Sequence, residues 1–164
     1  MKAKRISLCI AMVILISLGA SLTIKASIGV GAWDALSITG SRIFEIEIGT
    51  AQIFLNFLCI GIQLAILKKE FNFRHILQIF LSLLIGITVN FILYNLLEKV
   101  ELVNYTSRLA IFILGNIING FSIAIIMLLD VVSFPLEGAC MAFSKKLALN
   151  FIKFDNIWMD FLLY

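Results

Sequence analysis

The sequence predicts an all-α protein, a multi-pass transmembrane helix bundle, and its composition is the first reason. Of the 164 residues, 62% are hydrophobic and 14% are charged, and the mean hydropathy is +1.08. A soluble domain is nearer half apolar and a quarter charged. One soluble core of this size cannot hide so many apolar side chains, so lipid must surround much of the chain.

Four uncharged apolar runs predict the membrane-spanning helices. A helix that crosses a hydrocarbon core of about 30 Å needs about 20 apolar residues, and the runs cover 6–24, 49–67, 76–97 and 109–129. A signal peptide is the alternative for the first run because Lys2, Lys4 and Arg5 precede it. The run is longer than a signal core and lacks a good small-residue cleavage site after it, which favours a retained span.

A fifth span is predicted to start near Asn156, but the sequence stops at Tyr164. The remaining stretch is too short to cross a bilayer. We therefore expect the chain to be C-terminally truncated, or naturally shortened.

The basic residues predict the orientation of the spans. Lys and Arg gather at the N-terminus, after the second run and after the fourth run, whereas the other connections have fewer of them. Because cytoplasmic connections are enriched in these residues, we expect a multi-pass membrane protein with a cytoplasmic N-terminus. Glu45 and Glu98 should lie outside, and Lys68 and Lys145 inside.

Two interrupted segments predict an internal repeat within a single domain of residues 1–164. They read "IGVGAWDAL" at 28–36 and "VVSFPLEGACMAFSKK" at 131–146, and aligning Asp34 with Glu137 pairs Ser41 with Ser144. Repeat 1 would cover about 6–97, and an incomplete repeat 2 would cover about 109–164. Three spans separate the two starts, so the repeat is expected to be inverted, with the first segment outside and the second cytoplasmic.

Both segments are predicted to break the helical path, at 29–32 and at 132–135. Gly29 and Gly31 permit backbone shapes that other residues resist, and Pro135 disfavours helix before it. Short re-entrant or interfacial half-helices should follow, over 38–44 and 140–149.

Asp34 and Glu137 are expected in the first turns of these half-helices, and two interpretations stay open. In one, the acids complement the helix dipoles at the membrane interface, with Trp33 as an interfacial anchor. In the other, the half-helices enter the membrane and their acids line a cavity for a cation or a proton.

The two segments carry a resemblance to a known family. The pattern "ASIGVGAWDAL" after the first span and "SFPLEGACMAFSKKL" after the fourth resembles the YczE/YitT-type bacterial integral membrane proteins. The similarity runs from about Gly19 to Asp155, although Ala32 stands where that pattern has a proline. The resemblance implies a multi-pass plasma-membrane protein and brings no catalytic residues with it.

Amide side chains are the other polar feature of the spans. Asn116 and Asn119 share one face of the fourth span, and Gln52 and Asn56 share one face of the second. Such amides either join membrane helices by hydrogen bonds or line a path for a substrate. The predicted substrate or ion site comprises Asp34, Glu137, Asn116, Asn119 and Trp33, with Gly29, Gly31 and Pro135 as turn residues.

No pattern of enzyme chemistry is found in the sequence. It has no metalloprotease, serine-hydrolase or phosphate-loop motif, and Cys9, Cys59 and Cys140 are expected to be small core residues without disulfides. We expect no enzyme activity, no cofactor, no metal and no nucleic-acid partner.

Two functions therefore remain. The chain is either a small secondary transporter or exporter, or a non-transporting membrane scaffold or regulatory subunit. Its expected partners are the lipid bilayer and either further copies of itself or another membrane protein.

Overall fold

The computed structural model describes residues 2–67, 73–129 and 134–146, and in these ranges the chain forms helices and no strand. The predicted all-α class is therefore confirmed. The predicted fifth span lies outside the described residues. The helices are α1 (Lys2–Ala26), α2 (Ala32–Phe44), α3 (Ile48–Leu67), α4 (Phe73–Phe91), α5 (Tyr105–Leu129) and α6 (Pro135–Lys146). A π-helical turn, Ile92–Leu96, continues α4 and was not predicted.

Four of these helices, α1, α3, α4 and α5, are long and apolar enough to cross a membrane. They coincide with the four predicted runs, which identifies the chain as a polytopic membrane protein.

The end of α1, the start of α3 and the end of α4 meet at one end of the bundle. There Lys25 Nζ donates to the Glu98 carbonyl at 3.4 Å, and the Ile48 N–H donates to the Tyr94 hydroxyl at 3.3 Å.

One close helix crossing joins α1 and α5, which run antiparallel. A Cβ atom added at Gly19 would lie 2.8 Å from the Gly115 carbonyl oxygen and 2.5 Å from Asn119 Oδ1. Only glycine permits this approach, as is usual where membrane helices pack closely. Nearer the start of α1, apolar side chains of α1, α4 and α5 form the core, among them Cys9, Val13, Leu81, Ile85 and Ile126.

The two short helices both pack against α3. The end of α2 lies beside the start of α3, where a Cβ at Gly40 would be 3.8 Å from the Ala51 side chain. The start of α6 lies beside the other half of α3, where Gln63 Nε2 donates to the Pro135 carbonyl at 2.9 Å. The helix α3 thus carries one half-helix near each of its ends.

The first predicted break is found, the second lies mostly outside the described residues, and two details of these segments are corrected. The helical path stops at Ala26 and resumes at Ala32, six residues before the expected start at 38; α6 begins at Pro135, not at 140. Gly29 and Gly31 do not use left-handed geometry, since no glycine has a positive φ; Ser27 does, with a φ of 57°. The turn therefore bends at a serine, and a Cβ added at Gly29 or Gly31 would make only ordinary contacts.

The cysteine prediction holds for two of three residues. Cys9 and Cys59 are buried, whereas Cys140 is exposed on α6. The buried positions of α6 are Pro135, Gly138, Ala139 and Ala142, and Cys140 lies beside this stripe, not within it. All three thiols are free.

Candidate functional site

The first turn of α2 places a carboxylate inside the bundle. Gly31 is the N-cap residue in an extended conformation, and the Ala35 N–H donates to its carbonyl at 2.9 Å. Asp34 is the third residue of the helix, and its Oδ2 would lie 3.7 Å from a Cβ at Gly31. The carboxylate thus folds back over the start of its own helix, where the dipole is positive.

The first turn of α6 repeats this arrangement. The Gly138 N–H donates to the Phe134 carbonyl at 2.9 Å, and Glu137 is the third residue of the helix. Pro135 is the first residue, a position where its missing N–H costs nothing. The sequence alignment pairs Asp34 with Glu137, and the structure places both acids at the third position of their helices.

Both turns open into one cavity of about 230 Å³. The expectation that the two acids are separated does not hold, although α1 and α5 end at opposite ends of the bundle. Residues of both half-helices, Asp34 of α2 and Glu137 of α6, line this cavity together. The cavity is lined by Ile16, Ala20, Trp33, Asp34, Gln52, Asn56, Ile85, Asn119, Ile123, Phe134, Pro135, Leu136 and Glu137.

Two amides of α3 face this cavity with no protein partner. Gln52 and Asn56 are only 7% and 5% exposed, and among the described residues neither side chain makes a hydrogen bond. Buried amides nearly always find a partner. Asn119 adds a buried Oδ1 that also lacks one within the described ranges.

The cavity lies well inside the membrane span if α3 crosses the bilayer. Asn56 is the ninth of the 20 residues of α3, so it lies about 12 Å along the helix from its start. A span of this length crosses about 30 Å. Non-helical backbone next to Asp34 therefore sits at a depth where only protein or a cavity can satisfy it.

Burial changes the acidity of one of the acids. Asp34 lies on α2, outside the four candidate spans, and desolvation raises the pKa of its carboxyl from 3.8 to about 6. The charged form is disfavoured where water is removed, which raises the pKa of any carboxyl. Asp34 is thus ionised at neutral pH and protonated in mild acid.

The structure gathers most of the predicted site residues, with one clear exception. Trp33, Asp34, Asn119, Pro135 and Glu137 line the cavity, but Asn116 is exposed and donates to the Phe112 carbonyl at 2.8 Å. Asn116 bonds its own helix because it points to a different side of α5 from Asn119.

The two turn glycines frame the site without lining it. Gly31 caps α2, and a Cβ at Gly29 would be 3.8 Å from the Phe112 ring. Gln52 and Asn56 were missed as site residues, although their four-residue spacing already placed them on one face. No group of three His, Cys, Asp or Glu side chains that could hold a metal ion occurs in the described ranges.

Comparison with known proteins gives a family. Residues 3–163 match a family of unknown function (DUF6198), and the chain belongs to it. The search of curated proteins and the search of solved structures returned no match. The family match does not bear on the YczE/YitT-type resemblance, which rests on the two motifs alone.

Proposed function

We propose that this membrane protein is a small secondary transporter, and that the cavity between the first turns of α2 and α6 binds a small cationic solute. The observation that carries the proposal is the convergence of two carboxylates and two unpartnered amides on one cavity. Transporters commonly build their sites near the bilayer midplane from helices that begin inside the membrane. No chemical step is required of these residues, so the proposal includes no enzyme activity.

The interior favours transport over a scaffold or regulatory role. A scaffold needs no internal cavity. Two amides buried without hydrogen-bond partners would lower its stability and serve no function there. The capping role of the acids is compatible with transport, because a carboxylate at a helix N-terminus can also bind a cation that enters the cavity. The inverted repeat and the topology stay predictions. An inverted repeat would allow alternating access, because one repeat could rock against the other.

The test is uptake by the full-length chain reconstituted into vesicles. Labelled monovalent and organic cations should accumulate against empty vesicles when an ion gradient is imposed. Asp34→Asn and Glu137→Gln should each lower the uptake rate about tenfold or more, since a hydrogen bond to a charged group contributes about 1.5 to 3 kcal/mol.

Asn116→Leu is the matched control, because this amide lies outside the cavity. Its uptake rate should stay near that of the wild-type chain. Uptake that survives both carboxylate changes would leave the acids as helix caps. No uptake of any cation by the folded protein would instead favour the scaffold or regulatory role.

A further inference from the structure

We infer, resting on the proposed transport function, that the cavity takes a primary organic amine with an apolar body and not a bare inorganic cation. Size is the first argument. A volume of about 230 Å³ corresponds to about eight non-hydrogen atoms at the roughly 30 Å³ that one water occupies in the liquid. A lone metal cation would leave most of that space to water.

The walls of the cavity supply the second argument. Most of them are apolar, with Ile16, Ile85, Ile123 and Phe134 among them. Water held against such walls is unfavourable, whereas a hydrocarbon body covers them. The indole of Trp33 adds an aromatic surface, the best of the aromatic side chains for holding a cation.

Charge supplies the third argument, which concerns the charge of the ligand. Asp34 and Glu137 together carry two negative charges when ionised. Each helix N-terminus contributes about half a positive charge, so the starts of α2 and α6 offset about one of the two. One monovalent cation neutralises the remainder.

The amides decide between a primary and a quaternary amine. Gln52 and Asn56 have no hydrogen-bond partner within the described part of the chain, and their carbonyls can only be satisfied by a donor. A primary ammonium has three N–H donors, as the Lys side chain does. A quaternary ammonium has none and would leave both carbonyls unpaired.

The experiment measures binding at Trp33 in the full chain. Trp158 is the other tryptophan, so Trp158→Phe leaves the fluorescence of Trp33 as the signal. The probes are butylamine, its N,N,N-trimethyl derivative, 1-butanol, and sodium or potassium chloride, and the organic probes have at most eight non-hydrogen atoms. We expect saturable binding of the primary amine and affinities about tenfold weaker or worse for the other three.

Variants of one amide test the donor argument. Asn56→Leu should weaken amine binding about tenfold and should weaken the binding of 1-butanol less, because the single O–H donor of an alcohol is uncharged. Should this variant fail to fold, Asn56→Asp is nearly the same size and should bind the amine more tightly, since a carboxylate replaces the amide carbonyl. Asn116→Leu is the control and should bind as the parent does. An Asn56→Asp affinity no higher than that of the parent would overturn the donor argument.

The outcomes separate this inference from the transport proposal. Vesicle uptake of sodium or potassium without amine binding would overturn the inference and leave transport standing. Amine binding without uptake of any cation would keep the ligand class and overturn transport. Equal binding of the amine and 1-butanol would show a pocket without charge recognition, and would overturn the inference.

Discussion

The helices α2 and α6 put a carboxylate at the same position of a first turn, but they are held in place differently. α6 begins with Pro135, and Gln63 of α3 holds its first carbonyl. α2 begins after Gly31 with no side-chain cap, and its contact with α3 near Gly40 comes at its other end. One half-helix is thus fixed at its start and the other at its end.

This difference separates the roles of the two acids. Asp34 is the more buried acid, on a helix start that no side chain fixes, whereas Glu137 is exposed to the cavity on a start that Gln63 fixes. A helix start without a side-chain hydrogen bond can shift with a ligand, and a start held by one can orient a ligand. We therefore expect changes around α6 to affect stability first, and changes around α2 to affect binding first.

The largest effect on stability is expected from substitutions at the residue that follows each acid. α6 has Gly138, where a Cβ would lie 2.6 Å from Gln63 Oε1, while α2 has the exposed Ala35. Gly138→Ala should lower the free energy of unfolding by about 1 to 3 kcal/mol, because it displaces a packed side chain. Thermal unfolding in detergent measures this.

The reverse exchange on α2 is the matched variant. Ala35→Gly should cost no more than about 1 kcal/mol, the helix-propensity difference. Gly61→Ala is a second control, since nothing lies within 4 Å of its added Cβ. Equal losses for Gly138→Ala and Ala35→Gly would contradict the difference between the two half-helices.

Gln63→Leu should give the next largest effect and should act on α6 alone. Gln63 is fully buried, and its loss leaves the Pro135 carbonyl without this donor. The cost should be about 1 to 2 kcal/mol. Hydrogen exchange should speed up in the first turn of α6 and stay unchanged in α2, and faster exchange in both would show that their starts are coupled.

The pH dependence of Asp34 should give a smaller but distinctive effect. Burial raises the pKa of its carboxyl to about 6, so cation uptake should fall as the pH drops through that value and the carboxylate is protonated. Asp34→Asn should have low uptake with little change over this range. An unchanged pH profile in this variant would assign the titration to another group.

The same shift fixes the sign of the stability change with pH. The folded chain binds the proton more tightly than the unfolded chain, whose carboxyl titrates near 3.8. This contribution to stability is complete below pH 3.8 and is lost as the pH rises toward 6. Relative to Asp34→Asn, the wild-type chain should therefore become less stable across that window.

The smallest effect is expected from adding a cap to α2. Gly31 has φ −61° and ψ 156°, a conformation that serine adopts freely, and no side chain caps the helix there. Gly31→Ser should stabilise the protein by a few tenths of a kcal/mol. A clear loss of stability on thermal unfolding would show that the position needs glycine after all.

Local features of the sequence predicted much of the site. Asp34 and Glu137 were aligned from their neighbours, and both proved to be third residues of half-helices. Asn119 was correctly placed with them, but its partner Asn116 was not, because residues three apart on a helix still differ by about 60° in direction. For Gln52 and Asn56 the sequence left two roles open, joining helices or lining a path for a substrate.

The sequence by itself determined the all-α class, the four candidate membrane spans and the two interruptions. These depend on the length of apolar runs and on residues such as Pro135, whose effects act on the neighbouring backbone. Only the tertiary structure decided that the first turns of α2 and α6 meet at one cavity, that Gln63 holds α6, and that Asn56 faces the acids. Those contacts join residues far apart in the chain, and their geometry depends on how the helices cross, which for α1 and α5 is set by the close approach of Gly19 and Gly115.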